Sequence, residues 1–109
     1  MVMQEDQLDL VFGALADRTR RAILARLADG DTSVGDLVSQ FAMSQPAISK
    51  HLKVLENAGL VSRSRQGTMR LSHLEAKPLG EATGWLGTYR EYWDESFSRL
   101  DDLLKRMDD

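Results

Sequence analysis

The segment Ser44-Gln45-Pro46-Ala47-Ile48-Ser49-Lys50-His51-Leu52-Lys53-Val54-Leu55 constrains this chain more than any other. Ile48, Leu52 and Leu55 fall at i, i+4 and i+7, so they line one face of a short amphipathic helix. Gln45, Ser49 and Lys53 gather on the outward arc, flanked by Lys50. Ser44 suits the N-cap, where a hydroxyl accepts a hydrogen bond from an orphan backbone N–H. Pro46 is tolerated because first-turn N–H groups have no intrahelical acceptor. Asn57-Ala58-Gly59 ends the helix, Gly59 being suited to a left-handed C-terminal position.

The flanking segments have equally definite periods. Leu8, Val11, Phe12 and Leu15 are at helical spacing within Gln4 to Leu15. Asp17 is placed to cap a second helix that runs through Ile23, Leu24 and Leu27 and stops near Asp29-Gly30. Ser33 with Asp36 resembles a capping box with Asp in place of Glu. It opens a short helix with Val34, Leu37, Val38 and Phe41 inward, and Ala42-Met43 turns tightly into Ser44. Val61 to Arg65 and Met69 to Leu74 read as two strands joined at Gln66-Gly67. In the second strand Arg70 and Ser72 alternate with Met69 and Leu71, giving one polar and one apolar face. From about Ala76 to Met107 the pattern is helical again, through Leu79, Ala82, Leu86, Tyr89, Trp93, Leu100, Leu104 and Met107, with Pro78 in the first turn. Gly80, Gly84 and Gly87 weaken the first half of this helix or let another helix approach closely.

A short helix, a tight turn, a second short helix with a polar outer arc and then a basic hairpin is the order of a winged helix-turn-helix. An α-helix fits the major groove of B-DNA, and its first outward residues meet base edges. Gln45 matches adenine, and Lys50 and Lys53 match guanine or phosphate. Ser44 and Ser49 suit phosphate or water-mediated contacts. His51 falls towards the apolar side, so packing competes with a phosphate contact there. Arg63, Arg65 and Arg70 lie on the hairpin, where arginine can reach a minor groove or the backbone. Arg18, Arg20 and Arg21 open the second helix; there an intrachain pair with a carboxylate is the commoner outcome.

Net charge is −3, which alone argues against a polyanionic partner. Its distribution argues the other way. Residues 43–74 carry +4, with Glu56 the only carboxylate, whereas residues 1–42 carry −3 and residues 75–109 carry −4. A local basic surface is sufficient for phosphate binding, and the acidic remainder favours solubility. At 109 residues the expectation is one domain over 1–109, with a recognition helix at about 44–58, a wing at about 61–74 and a C-terminal dimerisation helix at about 76–107. No apolar run approaches a membrane span, and the acidic, polar stretch Met1 to Asp9 does not read as a signal peptide, so a cytoplasmic location is expected. With no cysteine, disulfides, thiolate metal sites and thiol redox switches are excluded. Two histidines, His51 and His73, are too few for a self-contained zinc site of the usual type.

The aromatic run Trp85, Tyr89, Tyr92, Trp93 and Phe97 adds a second apolar stripe to the last helix, too much for one small core. The surplus reads as a dimer interface shared with the first helix, comprising Leu8, Phe12, Trp85, Tyr89, Tyr92, Trp93 and Leu100. The rival is an aromatic ligand pocket. A two-fold dimer would present two recognition helices to successive major-groove faces and so predicts a palindromic site.

Leu15-Ala16-Asp17-Arg18-Thr19-Arg20-Arg21-Ala22-Ile23-Leu24, the segment Ser44 to Leu55 and Ala58-Gly59-Leu60-Val61 together resemble the ArsR/SmtB family of bacterial repressors, in the same order over nearly the whole chain. The resemblance implies a mainly α winged helix-turn-helix with five helices and a two-stranded wing. It also implies dimerisation through the first and last helices and repression at promoters. Many members sense metals through cysteines in the helix before the recognition helix, here Ser33 to Phe41, which has none. Others use Asp, His and Glu on the last helix, which here has no histidine. Trp85-Leu86-Gly87-Thr88-Tyr89-Arg90-Glu91-Tyr92-Trp93 is similar to the subgroup that senses no metal, whose members are often encoded beside the genes they repress and in several cases control their own promoters.

The expected function is therefore a homodimeric, sequence-specific repressor that binds double-stranded DNA without a metal or other cofactor. One alternative is the same core answering to an unidentified small organic effector. Another is a winged helix used only for protein contacts, which the exposed Lys50, Lys53, Arg65 and Arg70 disfavour. An enzyme is not expected: the chain has no nucleophile–base constellation and no Gly-rich phosphate loop, and Asp101-Asp102 lie on a helix exterior.

Overall fold

A computed structural model describes residues 4–108, apart from the side chains of Phe97 and Asp108. The readings that involve Met1–Met3, Asp109 and the ring of Phe97 lie outside the described residues. Helix α1 (Glu5–Leu15) has Glu5 and Asp6 in its first turn, favourable to the helix dipole, and buries Val11 and Ala14. Helix α2 (Arg18–Ala28) is capped by Asp17, whose carboxylate accepts from the Arg20 backbone N–H at 3.0 Å, and buries Ile23, Leu24 and Leu27. A short strand β1 (Thr32–Ser33) leads into α3 (Val34–Phe41), capped by the Ser33 hydroxyl on the Asp36 N–H at 3.2 Å. Ala42 closes α3 in the left-handed region at φ 51°. A β-carbon there costs about 1–2 kcal/mol, and the conformation makes the abrupt turn into the next helix.

Helix α4 (Gln45–Asn57) starts at Ser44, whose hydroxyl accepts from the Ala47 N–H at 3.3 Å, and has Pro46 in its first turn. It buries Ile48, Leu52 and Leu55. At its end Gly59 adopts φ 75°, the Gly59 N–H donates to the Glu56 carbonyl at 2.9 Å and the Leu60 N–H to the Leu55 carbonyl at 3.0 Å. These bonds form a Schellman cap, and the fully buried Leu60 supplies the hydrophobic contact that accompanies it.

Strands β2 (Val61–Gln66) and β3 (Met69–Leu74) pair antiparallel, and β1 adds to the other side of β3, giving the order β1-β3-β2. The hairpin turn is Gly67-Thr68, one residue later than the spacing suggests, because Gln66 pairs with Met69. Gly67 has φ 65°, the sign a two-residue hairpin turn requires. The expected alternation of β3 is altered by position. Met69 is exposed because it lies beside the turn, away from the body, and Ser72 is buried beside its equally buried cross-strand partner Thr32 of β1.

The last helical run is not one straight helix. Helix α5 (Lys77–Leu86) gives way to a single 3₁₀ turn at Gly87–Tyr89, and α6 (Arg90–Asp108) follows. Gly84 and Gly87 remove helix propensity there, and the Thr88 hydroxyl bonds the Trp85 carbonyl at 2.8 Å, offering that carbonyl an alternative partner. Thus, among the described residues, the fold is mainly helical, with five helical runs, the fifth broken in two, and a small three-stranded sheet. The core comprises Val11, Ile23, Leu37, Ile48, Leu52, Leu55 and Leu60, all fully enclosed, closed by Ala82 from α5.

Candidate nucleic-acid interface

The outward arc of α4 is free of the core. Ser44, Gln45, Lys50 and Lys53 are exposed, and Ser49 is half-buried. Beside it runs a groove of about 340 Å³, lined by Gln45 and Ser49 of α4, Ser33, Val34 and Gly35 at the start of α3, and Arg63, Arg70, Leu71 and Ser72 of the sheet. The structure thus brings Gln45, Ser49, Arg63 and Arg70 to one groove although they are far apart in sequence. Lys50 and Lys53 lie further along the same helix, outside that lining.

Arg65 and Arg70 are directly opposite each other across the β2–β3 ladder. Like charges in that relation repel. Among the described residues neither has a carboxylate within 4.0 Å, nor does Lys50 or Lys53. Arg63, Ser64, Arg65 and Arg70 line an adjoining recess of about 390 Å³. The arrangement is an uncompensated cationic edge, which an anion would relieve.

Arg63 is placed differently. Its guanidinium grips Glu56 by two hydrogen bonds, at 2.5 and 3.1 Å, so the only carboxylate of residues 43–74 is neutralised within the chain and β2 is tied to α4. His51 is turned to the start of α2, with Nδ1 3.4 Å from Arg20 Nη1 and 4.0 Å from Asp17 Oδ1. The Arg20 backbone N–H bond, and then the charge of Arg20, hold the Asp17 carboxyl below the usual carboxylate range. Arg20 and Arg21 bond carbonyls at the end of α1 more closely than they approach any acid: Arg21 reaches Leu15 O at 2.7 Å, and Arg20 reaches Ala14 O at 2.8 Å but Asp17 only at 3.9 Å. Sequence reasoning missed these bonds because helix-end carbonyls carry no residue-type signal.

The residues read as a dimer face divide into two groups. Leu8 and Phe12 are half-buried and pack against the core. Trp85, Tyr89, Tyr92, Trp93 and Leu100 are 42–68% exposed. Phe12 meets Trp85 edge-on at 5.7 Å, and Trp85 meets Tyr89 edge-on at 5.5 Å, so the aromatic surface is continuous with α1. Leu10 and Leu103, absent from the sequence reading, are also half exposed. Among the described residues no three His, Asp or Glu side chains gather as a metal site, and no helix is long and apolar enough to cross a membrane.

A helix-turn-helix made by α3 and α4, with a charged hairpin alongside, defines a winged helix of the DNA-binding type. Comparison with known proteins agrees. Residues 17–63 match the profile of the bacterial regulatory protein, arsR family. The chain is 38% identical to the transcriptional repressor SdpR of Bacillus subtilis, over 70% of this chain and 84% of that one. It is 49% identical to the HTH-type transcriptional regulator Rv2034 of Mycobacterium tuberculosis, over 62% of this chain but only 63% of that regulator. Among solved structures, the ArsR family transcriptional regulator RHA00566 superposes with a TM-score of 0.75 at 37% identity, covering 86% of this chain and 97% of that one. The homodimeric winged helix-turn-helix DNA-binding domain Mb0332 of Mycobacterium bovis gives 0.62 at 26% identity, covering 86% and 84%. This chain belongs to the ArsR family of winged helix-turn-helix transcriptional regulators, whose named members here are regulators and not enzymes.

Proposed function

We propose that this protein is a sequence-specific transcriptional repressor that binds a palindromic operator as a homodimer in the cytoplasm, without a metal cofactor. The observation that carries this reading is the groove uniting Gln45 and Ser49 with Arg63 and Arg70, bordered by the uncompensated Arg65–Arg70 pair. Residues 1–109 act in this reading as one DNA-binding domain. Helix α4, with its cap Ser44, is the recognition helix; Gln45, Lys50 and Lys53 meet bases or phosphates, and Ser49 a phosphate or water. The hairpin is the wing, with Arg65 and Arg70 on the DNA and Arg63 holding the wing to α4. The dimer forms through α1 and the α5–α6 run, supported by the exposed Trp85, Tyr89, Tyr92, Trp93 and Leu100 and by the homodimeric Mycobacterium bovis neighbour. Repression follows the named role of SdpR.

The test is a footprint on genomic DNA, followed by band-shift titration at several salt concentrations. A protected inverted repeat bound in preference to random DNA is expected; salt-insensitive or sequence-indifferent binding refutes the proposal. A second reading, regulation by a small organic ligand, is favoured by the cluster in which the half-buried Phe12 meets the exposed Trp85 and Tyr89. A ligand that raises the melting temperature and changes operator affinity supports it, and a dimer that seals this cluster without a cavity opposes it.

A further inference from the structure

Arg20 joins three helices. Its Nε donates to the Ala14 carbonyl at 2.8 Å, its Nη2 to the Gly13 carbonyl at 3.1 Å, and its Nη1 lies 3.4 Å from Nδ1 of His51. The two carbonyls are in the last turn of α1, where backbone acceptors run short of intrahelical donors; that of Gly13 also accepts from the Ala16 N–H at 3.3 Å. Arg20 itself is in the first turn of α2, and His51 is midway along α4. The guanidinium has five N–H donors and no acceptor. At the contact with His51 the hydrogen can come only from Arg20, so Nδ1 must be bare. The opposite arrangement, with Nδ1–H donating to Asp17, would have to cross 4.0 Å, beyond hydrogen-bond reach. A neutral imidazole with a bare Nδ1 carries its proton on Nε2.

Nε2 has no partner among the described residues, where no side-chain nitrogen is both buried and unpaired. The ring therefore opens its one N–H to solvent. We propose that Arg20 is a positioning residue for DNA binding. It holds His51 as the Nε2–H tautomer, so that α4 offers a neutral donor to a backbone phosphate, and it ties that donor to the end of α1. This rests on the reading of α4 as the DNA-facing helix. It also resolves the two roles that compete at His51: one ring nitrogen is held inward and the other serves the ligand.

The full chain, labelled with ¹⁵N at histidine and held roughly two units above the ordinary histidine pKa of ~6.5, reports the tautomer directly. The expected spectrum gives His51 a pyridine-type Nδ1 and a pyrrole-type Nε2, and Arg20→Met makes the two nitrogens average. Operator binding weakens about three- to tenfold in Arg20→Met, the worth of one neutral hydrogen bond. His51→Asn, whose amide oxygen can replace Nδ1 but which has no Nε2, loses a similar factor. The double variant loses no more than either single one, because both act through one donor. A predominant Nδ1–H form in the unmodified protein, or additive losses in a protein that binds its operator, overturns this proposal alone. Failure of the unmodified protein to prefer any DNA overturns the DNA-facing reading with it. The spectrum of the unmodified chain decides the tautomer even where Arg20→Met does not fold.

Discussion

Gln45 and Arg65 sit on different elements, α4 and β2, and the proposed function gives them different kinds of contact. On the proposed function, Gln45→Ala relaxes specificity at one base position by roughly 1–3 kcal/mol, read by binding to a set of operator variants. Equal losses on operator and random DNA would contradict that role. Arg65→Ala should weaken every sequence alike and flatten the salt dependence by about one counterion. His73 gives a separate prediction. A hydrogen bond to Asp31 at 2.7 Å, and then the charge of Asp31, raise its pKa above the ordinary 6.5. A raised histidine pKa stabilises the fold fully below the unfolded value, and that contribution is lost as pH climbs through the folded one. A plot of melting temperature against pH should therefore fall across that interval, and His73→Gln should remove this component. An unchanged profile in His73→Gln would refute it. The candidate base readers were readable from helical spacing alone. The Arg63–Glu56 and His73–Asp31 pairs were not, since each joins residues that meet only once the hairpin has folded back on the body.

The turns between elements carry local strain and local caps that can be tested one at a time. Ala42 holds a left-handed conformation to close α3, so Ala42→Gly should raise stability by about 0.5–1 kcal/mol in urea unfolding. No gain would mean that the turn is held by something other than its backbone preference. The sequence announced α2 to α4 clearly because caps and apolar spacing agreed at each, Asp17, Ser33 and Ser44 all capping where they were expected, whereas α1 has no side-chain cap and was announced by its apolar spacing alone. Two elements escaped it. Strand β1 is only two residues long and owes its existence to pairing with β3, which no local pattern reports. The break at Gly87–Tyr89 was hidden by an apolar stripe that continues through it, even though the glycines that permit it were visible.

At the scale of the whole molecule, the chain is too long for its mass. Its radius of gyration is 18.3 Å, whereas a compact chain of this length has about 13 Å. The excess is α6, where every described side chain from Arg90 to Met107 is exposed, including Leu100, Leu103 and Leu104. On the dimer reading these residues find their partner in a second copy. Trp93→Asp combined with Leu104→Asp should convert the dimer to a monomer in sedimentation. It should also lower operator affinity on the order of a hundredfold or more, as one of two linked contacts is lost. A monomeric double variant with full affinity would refute the two-half-site model.

On the dimer reading, a projecting α6 also makes abundance an input. A helix without a packed face is weakly ordered by its own hydrogen bonds and gains its stability from association. Folding of that arm, pairing of subunits and occupancy of the operator would then rise together, and at low copy number occupancy would follow roughly the square of protein concentration. A modest change in synthesis or turnover of the protein would be converted into a sharper change at the promoter, with no effector needed.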